Sequence, residues 1–144
     1  MKKIILQIIC LALIIFLTGC QDTYPEMKED AIGFHPSSFE YGDEGFQSIE
    51  YNGRTYIMYG TIKNGFDYSE LDKCIGYLHR EEIESSNEDR FYTLKSDPDE
   101  NFLYERYIGT TLMNPPSFFR AVDTKDVDIN IPKYIESFEY EFWN

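Results

Sequence analysis

Nucleophilic catalysis needs a nucleophile, a base and an orienting group within hydrogen-bond reach of one another. The chain offers three cysteines and two histidines. Cys74 and His79 share a strand-like run over 73–79 but stand five residues apart. An odd separation in a strand sends two side chains to opposite faces. That parity argues against a Cys–His dyad within the run, and Cys74 reads as a small buried hydrophobe. His35 lies in a segment with the composition of a tether. No Gly-x-Ser-x-Gly elbow, phosphate loop or zinc-type Cys/His cluster occurs. A glycosidase-type hydrolase would need two carboxylates about 5–10 Å apart in a cleft, one with a raised pKa. The acids here gather mostly in turns, where carboxylates stay solvated. No catalytic residue is assigned on these grounds.

Two acidic turns have the alternating spacing of oxygen ligands. Asp97, Asp99 and Asn101 form one, and Asp126, Asp128 and Asn130 the other. Calcium takes six to eight oxygens, several of which alternating acids on a loop can supply. An EF-hand would next need Gly, where Phe102 and Ile131 stand, and later a bidentate Glu, where the first loop has Ile108. Both turns are calcium candidates on these terms, against the simpler reading of a solvated turn with Asx hydrogen bonds. No other cofactor is expected.

The rest of the 144-residue chain must position these groups. It is 42% hydrophobic and 17% aromatic, enough to build a core, and carries a net charge of −13. Nucleic acid is excluded as a partner, because phosphate binding needs a basic surface. The acidic balance favours cationic peptides, cationic proteins or divalent ions.

The N-terminus reads as an export signal. Lys2 and Lys3 precede an apolar run from Ile4 to Leu17, interrupted only by Gln7. That run is short for a membrane-spanning helix, which needs about 20 apolar residues, and it ends on small residues as a secretory signal does. Leu17-Thr18-Gly19-Cys20 resembles the lipobox of bacterial lipoproteins. The resemblance implies cleavage before Cys20, a diacylglyceryl group on its thiol, and acyl chains such as palmitate in the membrane. Two acyl chains suffice for stable anchoring. The expected location is the cell membrane, lipid-anchored on its extracytoplasmic face. Lys2 and Lys3 leave with the signal, so 11 basic and 26 acidic side chains remain, a formal charge of −15. Cys10 leaves too and Cys20 is acylated. Cys74 then has no internal disulfide partner, and stability must come from packing.

Three divisions follow: a signal over 1–19, a lipid-anchored tether over 20–45, and a globular β-rich domain over 46–144. The tether holds Pro25, Gly33, Pro36, Gly42 and Gly45, with apolar residues of no clear period, and is expected to become partly ordered near Phe34 and Phe39. In the domain, Asn52-Gly53 between two apolar, β-branched runs predicts a type I′ hairpin. Its register pairs Tyr51 with Arg54, Glu50 with Thr55, Ile49 with Tyr56, Ser48 with Ile57, Gln47 with Met58 and Phe46 with Tyr59. Further strands are expected over 73–79, 90–95, 102–108 and 117–122, with one short turn of helix beginning at Ser69. The last residues fit either period; a short helix over 132–137 leading into a terminal strand is favoured. The fold class is mainly β, or α+β with few short helices, built on a single small antiparallel sheet.

The domain also resembles a group of small uncharacterised bacterial lipoproteins. The likeness rests on Cys74-Ile75-Gly76-Tyr77, on Asp97-Pro98-Asp99-Glu100-Asn101-Phe102-Leu103, and on Pro116-Ser117-Phe118-Phe119-Arg120-Ala121-Val122-Asp123. It implies an envelope location and one compact domain, and carries no catalytic residue. The expected function is a non-catalytic binding or accessory module. The alternatives are an immunity-type lipoprotein that sequesters a cationic peptide, and an envelope hydrolase with paired carboxylates. Twelve tyrosines in an acidic chain suit recognition as well as packing. Mass analysis of the mature N-terminus is expected to show a diacylglyceryl adduct on Cys20. Cys20→Ser is expected to leave the chain unprocessed or released. An intact signal in an unchanged membrane fraction would sink this reading.

Overall fold

The computed structural model describes residues 24–78, 89–107 and 115–144. Its strands are β1 (Met27–Phe34), β2 (Ser37–Tyr41), β3 (Glu44–Tyr51), β4 (Arg54–Ile62), β5 (Leu71–Leu78), β6 (Asp89–Leu94), β7 (Phe102–Tyr107), β8 (Ser117–Ala121) and β9 (Ile135–Ser137). All belong to one sheet, in the order β1-β5-β6-β7-β8-β4-β3-β2, with β9 paired to β4. Only β1 against β5 is parallel; every other pairing is antiparallel. Among the described residues, helical structure is limited to single 3-10 turns at Tyr68–Glu70, Val122–Thr124 and Glu141–Trp143. The expected β-rich, mostly antiparallel single domain is what forms.

The β3–β4 turn follows its chemistry. Asn52 and Gly53 have φ of 51° and 73°, the pair of positive angles a type I′ turn requires. Four of the expected cross-strand pairs form, from Tyr51–Arg54 to Ser48–Ile57. The last two, Gln47–Met58 and Phe46–Tyr59, do not. Beyond Ile57 the edge of β4 passes from β3 to β9, whose pairs are Gly60–Ser137, Thr61–Glu136 and Ile62–Ile135.

The sheet curls onto itself. Along a flat sheet β1 and β3 would be about 29 Å apart, six spacings of about 4.8 Å. Yet the Phe34 ring on β1 lies 6.2 Å from the Tyr51 ring on β3. The enclosed face holds Phe34, Ile49, Tyr56, Leu78, Phe91, Leu103, Phe119 and Ala121. The outer face is buried as well, with Tyr59, Leu71, Cys74, Tyr92, Leu94, Phe102, Tyr104 and Phe118. Loops cover it: Phe66 stacks on Tyr104 at 5.3 Å and meets Tyr134 at 4.9 Å. Adjacent Phe118 and Phe119 point to opposite faces, and both are fully buried. A third cluster, Phe46, Ile57 and Phe142, sits behind the β3–β4 hairpin.

Two segments depart from expectation. Residues 27–41, expected in a tether, are β1 and β2 of the sheet. Both are edge strands with mostly exposed side chains, and β1 bulges between Met27 and Ile32. An edge strand that buries few residues shows no apolar period, so composition misreads it as a linker. Residues 132–137 hold β9 instead of a helix, and the terminal strand is replaced by the turn Glu141–Trp143. The expected helix start at Ser69 is a turn over Tyr68–Glu70, capped by Asp67, whose carboxylate accepts from the Ser69 N–H at 2.8 Å.

The β9 crossing depends on Gly60. A Cβ there would lie 2.2 Å from the Glu136 carbonyl oxygen, closer than two backbones can tolerate. Gly60→Ala is expected to destabilise the fold by about 1–3 kcal/mol through overpacking, read as a lower urea midpoint. An unchanged midpoint would mean that β9 contributes nothing to stability.

Candidate functional site

The enclosed face changes character along its strands. At one end Ile49, Tyr56, Phe91, Leu103 and Phe119 are all fully buried. Two residues further on, each strand carries a different kind of side chain on the same face: Gln47 on β3, Met58 on β4, Asp89 on β6, Glu105 on β7 and Ser117 on β8. These line a cleft of about 260 Å³, with Phe138 at its rim. A second cleft, of about 290 Å³, is lined by Glu44, Phe46, Gln47, Met58 and Tyr140. The two adjoin at Gln47 and Met58, where β3 has left β4 and β9 has not yet begun. Missing strand pairing is what opens this groove.

Asp89 is only 5% exposed. It stands opposite Tyr107, and Phe91 stands opposite Glu105. Asp89 and Glu105 are therefore diagonal neighbours on one face, with backbones about 7–8 Å apart. The Tyr140 hydroxyl reaches the Met58 sulfur at 3.9 Å. The Glu44 carboxylate is occupied, accepting from the Glu141 and Phe142 N–H groups at 3.1 Å each. The groove thus joins two carboxylates at one end to aromatic and thioether walls. It is suited to an ammonium or guanidinium group attached to an apolar body. Neither acid belongs to a motif: Asp89 precedes the strand expected over 90–95, and Glu105 lies within the one expected over 102–108. The available signal was parity, since Glu105 shares the inward face of Leu103.

The first calcium candidate lies in the loop between β6 and β7. Asp97 is buried; its carboxylate accepts from the Phe102 N–H at 2.6 Å and the Asn101 side-chain amide at 3.1 Å. Burial raises its pKa above the ordinary carboxylate value, against the lowering effect of those bonds. The remaining oxygens face Arg54. Its Nη1 donates to the Asp99 carbonyl at 2.9 Å and the Glu100 carbonyl at 3.0 Å, and its Nη2 to the Asn101 side-chain oxygen at 3.2 Å. Asp123 closes the other side of the guanidinium at 2.8 Å. Glu100 has a positive φ of 53°, and its carboxylate accepts from the Asn52 amide at 2.8 Å. The Tyr56 hydroxyl donates to the Glu100 carbonyl at 2.6 Å, and burial pushes its pKa up to about 12. In the second candidate, Asp126, Asp128 and Asn130 are all exposed. Among the described residues no three His, Cys, Asp or Glu side chains come together as a metal site.

Cys74 is buried on the outer face, and desolvation raises its thiol pKa. His79 and Cys20 lie outside the described residues. Of the tyrosines, Tyr56, Tyr59, Tyr92 and Tyr104 belong to the core. Set against protein families, curated proteins and solved structures, the chain matches none.

Arg54 ties the hairpin to the β6–β7 loop and to Asp123. Arg54→Met is expected to lower stability by about 1–3 kcal/mol, because it strands several carbonyl acceptors. Asp123→Asn should cost less than about 1 kcal/mol, since that carboxylate is largely exposed. The Arg54 guanidinium holds the Asp123 carboxyl below its usual range. The pair therefore contributes above pH about 4 and fades as pH falls further. Denaturation at pH 7 and pH 3 reads both effects; equal losses for the two variants at pH 7 would contradict this hierarchy.

Proposed function

We propose that this protein is an extracytoplasmic lipoprotein, anchored to the cell membrane through Cys20, and that it binds a cationic peptide or protein segment in the Met58 groove without catalysing a reaction. The lipobox-like Leu17-Thr18-Gly19-Cys20 supports the anchor. The link to the membrane is short on this reading. Tyr24, four residues after Cys20, already packs on the domain, with its ring 5.1 Å from that of Tyr68. Four extended residues span at most about 14 Å.

One observation carries the binding role: two carboxylates share a groove with aromatic and thioether walls. An acidic field draws a cation from a distance, and the walls then give its carbon skeleton contact area. Sequestering a cationic peptide toxin, the immunity-type role, is one use of the same groove. A second reading has its own support in Asp89 and Glu105, diagonal neighbours that line one cleft, since glycosidases work with a pair of carboxylates. An envelope hydrolase would work there.

Arginine-rich peptides titrated into the detergent-solubilised full chain are expected to bind, and to bind more weakly as salt rises to about 0.5 M. Asp89→Asn and Glu105→Gln should each weaken binding about tenfold, the scale of a charge-assisted hydrogen bond. Glycan and peptide substrates, assayed alongside, should show no turnover. Turnover abolished by Asp89→Asn would replace binding by hydrolysis, and binding indifferent to both substitutions would remove the groove from the account.

A further inference from the structure

On the outer face of β6 and β7, two rows of hydrogen-bonding side chains stand across from each other. Arg90 is the cross-strand neighbour of Arg106, and Tyr92 that of Tyr104. Like charges placed directly opposite each other repel, and here the pair occurs in a chain of net charge −13. The described ion pairs, Arg54–Asp123 and Lys73–Asp72, involve neither arginine. Four buried side-chain polar atoms in the described structure lack a hydrogen-bond partner, and three are in these rows: Arg90 Nε, Tyr92 Oη and Tyr104 Oη. Both tyrosines are completely buried. A native core leaves few such groups, and each one left over calls for an ion, a water or a ligand.

The groups are neighbours on one face, Arg90 and Tyr92 on β6 across from Arg106 and Tyr104 on β7. Burial keeps the two phenols protonated, by raising the pKa of each. Guanidinium N–H groups only donate, and a neutral phenol can donate as well. Among the described residues no carboxylate pairs with either arginine, and an acceptor with several oxygens and negative charge would serve all four groups.

Tyr24 forms the roof. Its ring lies 3.3 Å from the Arg106 guanidinium, 6.0 Å from the Tyr92 ring and 5.1 Å from that of Tyr68. Tyr24, Pro25 and Glu26 precede β1 and have no strand pairing. None of these three residues belongs to a strand, so the roof can lift without breaking the sheet.

We propose that Arg90, Arg106, Tyr92 and Tyr104 form a site for a phosphate-type oxyanion beneath Tyr24. The site lies on the face opposite the Met58 groove and does not depend on what that groove binds. Its oxyanion is either free phosphate or the phosphate of a lipid headgroup. The lipid source gains weight if Cys20 is acylated, because Tyr24 is then within reach of the headgroups. In that case the acidic domain meets the bilayer through a local pair of cations, despite the repulsion its overall charge implies.

The test uses the full chain in a non-ionic, phosphate-free detergent and reads the thermal midpoint. Inorganic phosphate is added against chloride of equal ionic strength. In a second arm the micelles are doped with phosphatidylglycerol or with a phosphate-free diacyl glycolipid. A rise of several degrees with phosphate, or with phosphatidylglycerol alone, is expected. The first result assigns a free oxyanion and the second a headgroup. Tyr104→Phe removes an unpaired hydroxyl, so it should raise the ligand-free midpoint while abolishing the ligand-induced rise. A merely structural hydroxyl would not separate these two readings. Arg106→Gln should abolish the rise as well, and Tyr24→Ala should lower the concentration needed for it. No rise in either arm, or an equal rise in Tyr104→Phe and Arg106→Gln, would overturn the site.

Discussion

Among the described residues no helix covers the sheet, so it must bury both faces with its own strands and loops. That constraint governs this molecule. The nine strands bury one face by curling until β1 meets β3 and the other by folding loops across it. Flat aromatic rings make both solutions workable in a small domain, since each ring removes a large apolar area from water. Phe91 and Phe119 fill the curl, with ring centroids 5.4 Å apart. Phe66, Tyr134 and Trp143 come from loops and the C-terminal turn and close the outside. The surplus of aromatic residues is first an architectural requirement, and recognition uses what remains.

Closure is unequal at the two ends of the curl. At the hairpin end, Arg54 gathers the carbonyls of Asp99 and Glu100, and Asn52 holds the Glu100 carboxylate. These bonds hold Glu100 in a left-handed conformation that a non-glycine residue adopts at a cost of about 1–3 kcal/mol. At the other end β3 and β9 divide the edge of β4 between them, and the Met58 groove lies where they part. Such an opening is a common place for a ligand, because the surrounding strands hold its walls rigid.

The few cations have structural work among many acids. Arg120 is only 6% exposed and donates to the Thr124 hydroxyl at 2.9 Å and carbonyl at 2.5 Å. The Trp143 ring lies 4.8 Å from its guanidinium and that of Tyr59 5.2 Å, so π faces supply much of what a carboxylate would. Arg54 is engaged by backbone carbonyls and Asp123. With these two guanidiniums engaged in the fold, most of the described acids remain on the surface and outnumber the exposed lysines there.

Local chemistry was legible in the sequence. Asn52-Gly53 dictates positive φ at both positions, so the hairpin and its first four pairs follow from two residues. The strands around Cys74, Tyr92, Tyr104 and Phe118 follow from runs of aromatic and β-branched residues. The lipobox-like Leu17-Thr18-Gly19-Cys20, on which the proposed anchor rests, is likewise a property of one linear segment. Other features required the fold. β1 and β2 bury too little to show a period, and β9 forms because Gly60 lets one backbone approach another. That Arg54, far away in sequence, donates to the carbonyls of Asp99 and Glu100 and to the Asn101 side chain is also set by the fold. Asp89 and Glu105 become neighbours only when β6 pairs with β7, and the arginine and tyrosine rows arise from the same pairing. Turns and signals act over a few adjacent residues, whereas grooves, clamps and donor rows depend on register between distant strands, which no local spacing encodes.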